Sequence, residues 1–210
     1  MLSFILNTTY INWYISFFMI IFLISRDCFK LGEKLSKLYP TMIHAGICVI
    51  LTFYYLFSYN YELVSLIRKW SVSYFIYDTY WHIKKWNLLY ILHHIASIIV
   101  FIYFLPYKTE DYDGNLMIFC IFICELGNFS VYRVNYKIYK NYYVTNIDLF
   151  GEIFCFVIIR NLFGILMMFI VQNNIYRLCI FCFWIVSVWW GYGIIKQFYK
   201  KIYIELCLNN

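Results

Sequence analysis

The sequence predicts an all-α protein, a polytopic transmembrane helical bundle of about seven spans that encloses a polar cavity facing the cytosol. Hydrophobic residues make up 64% of the 210 residues and charged residues only 13%. A soluble domain of this size has too small an interior to bury that much apolar side chain. The apolar residues also fall into runs of about 20, the length of a helix that crosses a bilayer.

Short polar or charged breaks separate these runs, because a helix inside the bilayer tolerates few charges. The breaks leave seven candidate spans, at about 8–25, 41–59, 68–83, 87–105, 115–133, 147–171 and 176–198. The third span is the weakest because Asp78 and several tyrosines lie within it. Six spans are therefore the alternative.

The chain is predicted to form one bundle without a soluble domain. Residues 1–24 are assigned to an N-terminal transmembrane span, residues 25–200 to the main transmembrane domain and residues 201–210 to a short cytosolic tail. The N-terminus has neither a basic segment nor a small-residue cleavage site. We therefore expect the first span to be retained and not removed as a signal peptide.

The distribution of Lys and Arg predicts how the bundle is oriented, since cytosolic loops carry an excess of these residues. With seven spans, twelve of the 17 cations fall in the first, third and fifth loops and the tail, and four fall in the opposite loops. This asymmetry predicts a lumenal N-terminus and a cytosolic C-terminus. The net charge of +6 includes no long basic run, which argues against a nucleic-acid partner.

Ionisable residues inside the predicted spans are the candidate functional residues, because such groups are costly in a bilayer and face a bundle interior or a wet cavity. At about 1.5 Å per helical residue, most of them fall roughly 5–12 Å below the cytosolic boundary on five helices. Arg160 alone is deeper, at about 20 Å. The shared depth predicts one polar cavity open to the cytosol, with a polar site of His44, Asp78, His93, His94 and Glu125; Glu152 has a similar depth but lies closer to a helix end.

Two adjacent histidines lie at the centre of this prediction. Tyr90, His93, His94 and Ser97 follow the spacing i, i+3, i+4, i+7, which is one stripe of a helix. The remaining residues of that span are mainly aliphatic and suited to lipid or packing. We therefore expect both histidines to look into the bundle.

Neighbouring spans carry matching polar faces. Tyr74 and Asp78 share a stripe of the third span, and Glu125 shares a face of the fifth span with Asn128. His82 stands at a helix end beside two lysines and is expected to be solvated at the interface. The predicted lipid-binding and polar cavity is completed by Arg160 and by the polar faces of these two spans, without His82.

Each residue also has a purely structural alternative. A buried His44 can be an ordinary hydrogen-bonded core group, and Arg160 can satisfy carbonyls at a helix end. Asp78 can pair with His93, or Glu125 with His44. The histidine pair with two acids at one depth nevertheless favours a functional site.

The residue set limits the chemistry. Membrane di-iron enzymes need more histidines than the four present, and a haem relay would lack ligands for its second haem. A single zinc held by two histidines and a carboxylate stays open. Acid–base or nucleophilic use of an imidazole backed by Asp78 fits more simply, so no metal and no cofactor is predicted.

Several motifs resemble the core of the TLC domain family. In order along the chain they cover roughly residues 25–200 and imply an endomembrane bundle around a lipid-accommodating cavity. They are YPTMIHAGICVILTFYY (39–55), WSVSYFIYD (70–78), HHIAS (93–97), ICELGNF (123–129) and FVIIRNLFG (156–164).

The resemblance implies two kinds of function. In the ceramide synthase branch, paired histidines transfer an acyl group from acyl-CoA to a sphingoid amine, which would assign catalysis to His93 and His94 with Asp78 in support. That branch has a second His/Asp cluster further along, where this chain reads CELGNFSVYR (124–133). The small TLC-domain-containing proteins, which act in membrane lipid homeostasis, are therefore the closer branch.

We thus expect an integral membrane protein of the endoplasmic reticulum or Golgi that binds or senses an acyl lipid. Its expected role is the homeostasis of membrane lipids, including sphingolipids. Its predicted partner is a membrane lipid or acyl-chain ligand. Catalysis stays open, with the balance against it. The first alternative is a ceramide-synthase-like N-acyltransferase with acyl-CoA as co-substrate, and the second is a small transporter or proton-coupled carrier.

Overall fold

Helices joined by short turns make up the part of the chain that the structure describes. This computed structural model describes residues 17–24, 26, 33–84, 86–104 and 112–208. Of these, 92% are helical, and none of them forms a strand. The prediction of an all-α protein is confirmed.

The helices follow one another in a simple order. The first described helical segment, α1, covers residues 17–24. The later helices are α2 (Glu33–Ser58), α3 (Tyr61–Lys84), α4 (Leu88–Ile99), α5 (Tyr112–Tyr139), α6 (Asn146–Glu152), α7 (Arg160–Ile170) and α8 (Asn174–Leu208). Two further stretches are π-helical: Val100–Phe104 continues α4, and Ile153–Ile159 joins α6 to α7.

Four helical segments of the described chain are long and apolar enough to cross a bilayer. They match the spans predicted at 41–59, 115–133, 147–171 and 176–198, and they support a protein embedded in a membrane. Their bounds are Leu35–Ser58, Tyr112–Tyr139, Asn146–Ile170 and Asn174–Tyr199.

The other three predicted spans differ from these four. α3 covers 68–83 but is less apolar, while α4 and its π-helical continuation form a shorter apolar helix, Leu88–Ile102. Most of the segment at 8–25 lies outside the described residues. Neither seven spans nor six is therefore confirmed.

The C-terminal helix extends into the segment predicted as a short cytosolic tail, 201–210. α8 continues without a break to Leu208. The backbone of 201–208 is thus part of the last helix. Of the predicted N-terminal unit, 1–24, the structure describes only residues 17–24.

A capping motif fixes the start of α6. The Thr145 hydroxyl accepts a hydrogen bond from the Asp148 backbone N–H, and the Asp148 carboxylate accepts one from the Thr145 backbone N–H. Arg133 and Lys137, near the end of α5, also donate to Asp148. One buried carboxylate therefore begins α6 and ties it to α5.

The helices pack around two groups of buried apolar side chains. α2 contacts α5 and α3, α3 contacts α4, and α7 contacts α8. One group is centred on α2 and α3 and includes Tyr55, Ile67 and Trp70. The other joins α5, α7 and α8 through residues such as Met117 and Met167. Side chains from both groups line the cavity described next.

Candidate functional site

A cavity of about 300 Å³ lies among α2, α3, α4, α5, α7 and α8. Its wall combines a line of ionisable and amide side chains with aromatic and aliphatic ones. All ten site residues predicted from the sequence line it: His44, Tyr74, Asp78, Tyr90, His93, His94, Ser97, Glu125, Asn128 and Arg160.

Asp78 is the meeting point of one half of the polar wall. Its Oδ2 lies 3.3 Å from the Tyr74 hydroxyl, 3.4 Å from His82 Nε2 and 3.5 Å from His94 Nε2. The sequence left open a pairing of Asp78 with His93, but the structure pairs it with His94. A single carboxylate oxygen thus faces two imidazoles and a phenol from α3 and α4.

The two adjacent histidines face different walls. His94 is only 4% exposed and faces α3, whereas the His93 ring packs against Phe183 and Trp190 of α8, with ring centres 5.4 and 5.1 Å apart. Successive helical residues point about 100° apart. Two adjacent histidines of α4 can therefore contact α3 and α8 respectively. The Nδ1 atoms of both rings have no hydrogen-bond partner among the described residues.

His82 corrects one expectation. The sequence suggested a solvated residue at a helix end, yet its side chain is only 20% exposed and lines the cavity. The ring stacks on Tyr90 at 4.4 Å, and its Nε2 faces Asp78. The signal in the sequence was the spacing: His82 follows Asp78 by four residues, so both project from one face of α3.

His44 forms the centre of the polar wall. Its ring stacks on that of Tyr74, with ring centres 3.9 Å apart and planes inclined by 8°. The Nε2 atom lies 3.7 Å from Glu125 Oε1, and the side chain is 1% exposed. This geometry corresponds to the pairing of His44 with Glu125 considered from the sequence.

Asn128 connects the acid to the deep arginine. Its amide nitrogen donates to Glu125 Oε2 at 3.2 Å, and its amide oxygen accepts from Arg160 Nη1 at 2.7 Å. Polar contacts and one ring stack therefore lead from Asp78 through Tyr74, His44, Glu125 and Asn128 to Arg160. The hydroxyl of Ser97 instead donates to the His93 carbonyl oxygen within α4.

Aromatic residues of α8 complete the wall and were missed from the sequence. Phe183, Trp184 and Trp190 line the cavity beside Ser187. The indole N–H groups of both tryptophans are buried and have no acceptor among the described residues. The sequence of α8 has no polar stripe. Only the contacts of this helix with α4 and α7 show that its aromatic side chains line the cavity.

The arrangement suits proton transfer and the binding of an amphipathic molecule. A carboxylate that faces an imidazole can orient the ring and stabilise its charged form, while the aromatic wall can hold an apolar chain. Among the described residues, no group of three or more His, Cys, Asp or Glu side chains is arranged to hold a metal ion.

Comparison of the chain with family models, curated proteins and solved structures finds no match. These comparisons show no family for the chain. The resemblance to the TLC domain therefore stays a prediction from the motifs.

Proposed function

We propose that this chain is a TLC-like membrane protein of the endoplasmic reticulum or Golgi that holds an acyl lipid in its cavity and acts in membrane lipid homeostasis. One observation carries the proposal. The ten polar residues chosen from the sequence line a single cavity whose other walls are aromatic and aliphatic. An amphipathic molecule with a polar head and an apolar chain matches that division.

The energetics favour a lipid over a small polar solute. Apolar surface removed from water is stabilising in proportion to its area, and residues such as Phe101, Met117, Ile180 and Phe183 offer that surface. The buried polar groups need partners, because an unpaired donor or acceptor away from water is costly. A lipid head group on the polar wall supplies partners while its chain covers the apolar wall.

The proposal includes seven spans with the cavity open to the cytosol. Arg26 and Lys37 line the cavity. Both belong to the first loop predicted from the sequence, which the excess of Lys and Arg assigns to the cytosol, and Lys37 lies near the start of α2. Their position at the lining supports a cytosolic mouth. A ligand would then enter from the cytosolic side of the membrane.

The contact between His94 and Asp78 favours one alternative function, an acyl-CoA-dependent N-acyltransferase. With Nε2 and Oδ2 3.5 Å apart, the imidazole could take the proton of an attacking amine as the acyl group leaves coenzyme A. The aromatic walls would hold the acyl chain during the transfer.

Lipid retention tests the proposal. The full chain is purified from membranes in nonionic detergent, and bound lipid is identified by native mass spectrometry. We expect an acyl lipid with the wild type and roughly tenfold less with Asp78→Asn or His94→Ala, because each breaks the line of polar contacts that faces the ligand. Glu62→Gln is the matched control, since Glu62 is exposed at the start of α3 and should retain the lipid.

The same preparations separate the alternatives. Absence of any acyl lipid from the folded wild type would contradict the proposal. Amide formed from acyl-CoA and a long-chain amine by the wild type, but not by His94→Ala, would establish the acyltransferase. Proton-coupled flux in proteoliposomes that Asp78→Asn abolishes would establish a carrier instead.

A further inference from the structure

Arg160 is a buried cation that forms no direct ion pair with an acid among the described residues. The residue is 5% exposed, and no described carboxylate lies within 4.0 Å of its guanidinium nitrogens. Its Nη1 donates to two neutral acceptors, Asn128 Oδ1 at 2.7 Å and the Cys124 carbonyl at 3.5 Å. A buried cation needs a counter-charge or a full set of hydrogen bonds to offset its lost hydration.

The donors of Arg160 are incompletely used. Its Nε has no hydrogen-bond acceptor among the described residues, and its guanidinium carbon lies 4.7 Å from the centre of the Phe156 ring. The nearby acid, Glu125, already accepts from Asn128 and faces His44. The side chain nevertheless lines the cavity, so an anion in the cavity can reach it.

A second unused donor belongs to the same wall. The indole nitrogen of Trp184 is buried without an acceptor among the described residues and also lines the cavity. Its ring packs against Gly164, where an added Cβ would lie 2.9 Å from Trp184 Cδ1. Gly164 follows Arg160 by four residues and so occupies the same face of α7. The missing side chain thus lets the indole approach the helix one turn beyond the guanidinium.

We propose that Arg160 and Trp184 form a subsite for the carboxylate end of a long-chain fatty acid. This inference rests on the proposed function, because it names the head group of the lipid held in the cavity. A guanidinium presents two parallel N–H donors that fit the two oxygens of a carboxylate, and the indole N–H adds a third donor. The acyl chain then lies against Met117, Phe163 and Ile180 of the same lining.

The local charge favours a carboxylate over a phosphate. One arginine is neutralised by one negative charge, whereas a phosphate monoester carries nearly two at neutral pH. Asn128 links Arg160 to the carboxylate of Glu125. The second negative charge of a phosphate would therefore be repelled by that carboxylate. A singly charged head group leaves one net negative charge among Arg160, Glu125 and the ligand, whereas a phosphate monoester leaves nearly two.

Competition binding tests the subsite. Labelled oleate is bound to the purified full chain in nonionic detergent and displaced with unlabelled oleate or with oleyl alcohol, which has the same chain and no charge. We expect the wild type to prefer oleate by roughly tenfold or more, since hydrogen bonds to charged groups are the strong ones. Arg160→Met should abolish the preference and leave the affinity for oleyl alcohol unchanged.

Two further variants complete the design. Arg177→Met makes the same change at an exposed residue of α8 outside the cavity and should keep the preference for oleate. Trp184→Phe removes one N–H with little change of shape. It should lower the affinity for oleate several-fold and leave the affinity for oleyl alcohol unchanged. If Arg160→Met fails to fold, Trp184→Phe decides, and an unchanged preference in that variant overturns the subsite.

The outcomes distinguish the two proposals. Equal displacement by oleate and oleyl alcohol in the wild type would overturn the carboxylate subsite while leaving an acyl-binding cavity. Failure of either compound to bind would contradict the proposed function itself. A preference for oleate that persists in folded Arg160→Met would show that another group recognises the carboxylate, and would overturn the assignment.

Discussion

Gly164 shows at the scale of one residue how an absent side chain shapes the cavity wall. Trp184 fills the space that a Cβ would need, and its indole thereby reaches the face of α7 that carries Arg160. Interior packing is dense, so a single extra methyl group has to displace something.

We predict that Gly164→Ala lowers the thermal unfolding midpoint in detergent. Overpacking of this kind costs about 1–3 kcal/mol, because the new Cβ would lie 2.9 Å from a rigid ring. Gly193→Ala on α8 is the matched control: nothing lies within 4 Å of its added Cβ, and alanine favours a helix by about 0.5–1 kcal/mol. Equal midpoints for the two variants would contradict the prediction.

The helix element that most affects the site is the π-helical stretch between α6 and α7. It ends at Ile159, directly before Arg160, and such wider turns are frequent at functional sites. Gly127 of α5 allows the close approach of this stretch, since an added Cβ would lie 3.4 Å from Cys155 O and from Phe156 Cα. The contact brings Arg160 next to Asn128, one residue beyond Gly127.

The start of α6 provides a test at the same scale. Asp148→Ala should lower stability by about 1–2 kcal/mol, because it removes the capping box and the shared partner of Arg133 and Lys137. Asp148→Asn keeps an acceptor for Thr145 and should cost less. Thermal or denaturant unfolding in detergent measures both.

The control for this test is an acid in the first turn of another helix. Glu62→Ala at the exposed start of α3 should change stability by less than about 0.5 kcal/mol. If Asp148→Ala were as mild as Glu62→Ala, the carboxylate would not fix the junction between α5 and α6.

At the scale of the whole molecule, α3 is one of the helices on which the number of spans depends. Its 24 residues are long enough to cross a bilayer, but they are less apolar than those of its neighbours. Nine of them are buried in the bundle, among them Ser71, Ser73 and Tyr74. A helix shielded by other helices needs little apolar surface of its own. Its mean hydropathy therefore underestimates how readily it can lie within the bilayer.

We predict that α3 crosses the membrane. An epitope tag inserted after Tyr59 should be accessible only from the lumen, and tags inserted after Trp86 or at the C-terminus only from the cytosol. The positive-inside distribution gives these sides. Tags after Tyr59 and Trp86 on the same side would contradict a crossing by α3, and a lumenal C-terminal tag would contradict the orientation.

Part of the site was predictable because ionisable residues inside apolar segments are visible in the sequence, and placing them in a bilayer costs free energy. Asp78, His94 and Arg160 interrupt apolar runs, and charged or ionisable groups there need an inward environment. His82 was misjudged because its lysine neighbours suggested solvent, although its spacing from Asp78 pointed inward. Trp184 and Trp190 gave no signal, since an aromatic residue in an apolar helix suits lipid and protein surroundings equally.

The sequence by itself determined that the chain is helical, rich in apolar segments and supplied with ionisable residues inside them, because composition and periodicity are local properties. Only the tertiary structure decided which partners these residues have. Asp78 faces His94 and His82, Glu125 faces His44, and the Nε of Arg160 has no acceptor among the described residues. Such pairings depend on the rotation and approach of whole helices, which residues such as Gly127 and Gly164 set across long separations in the chain.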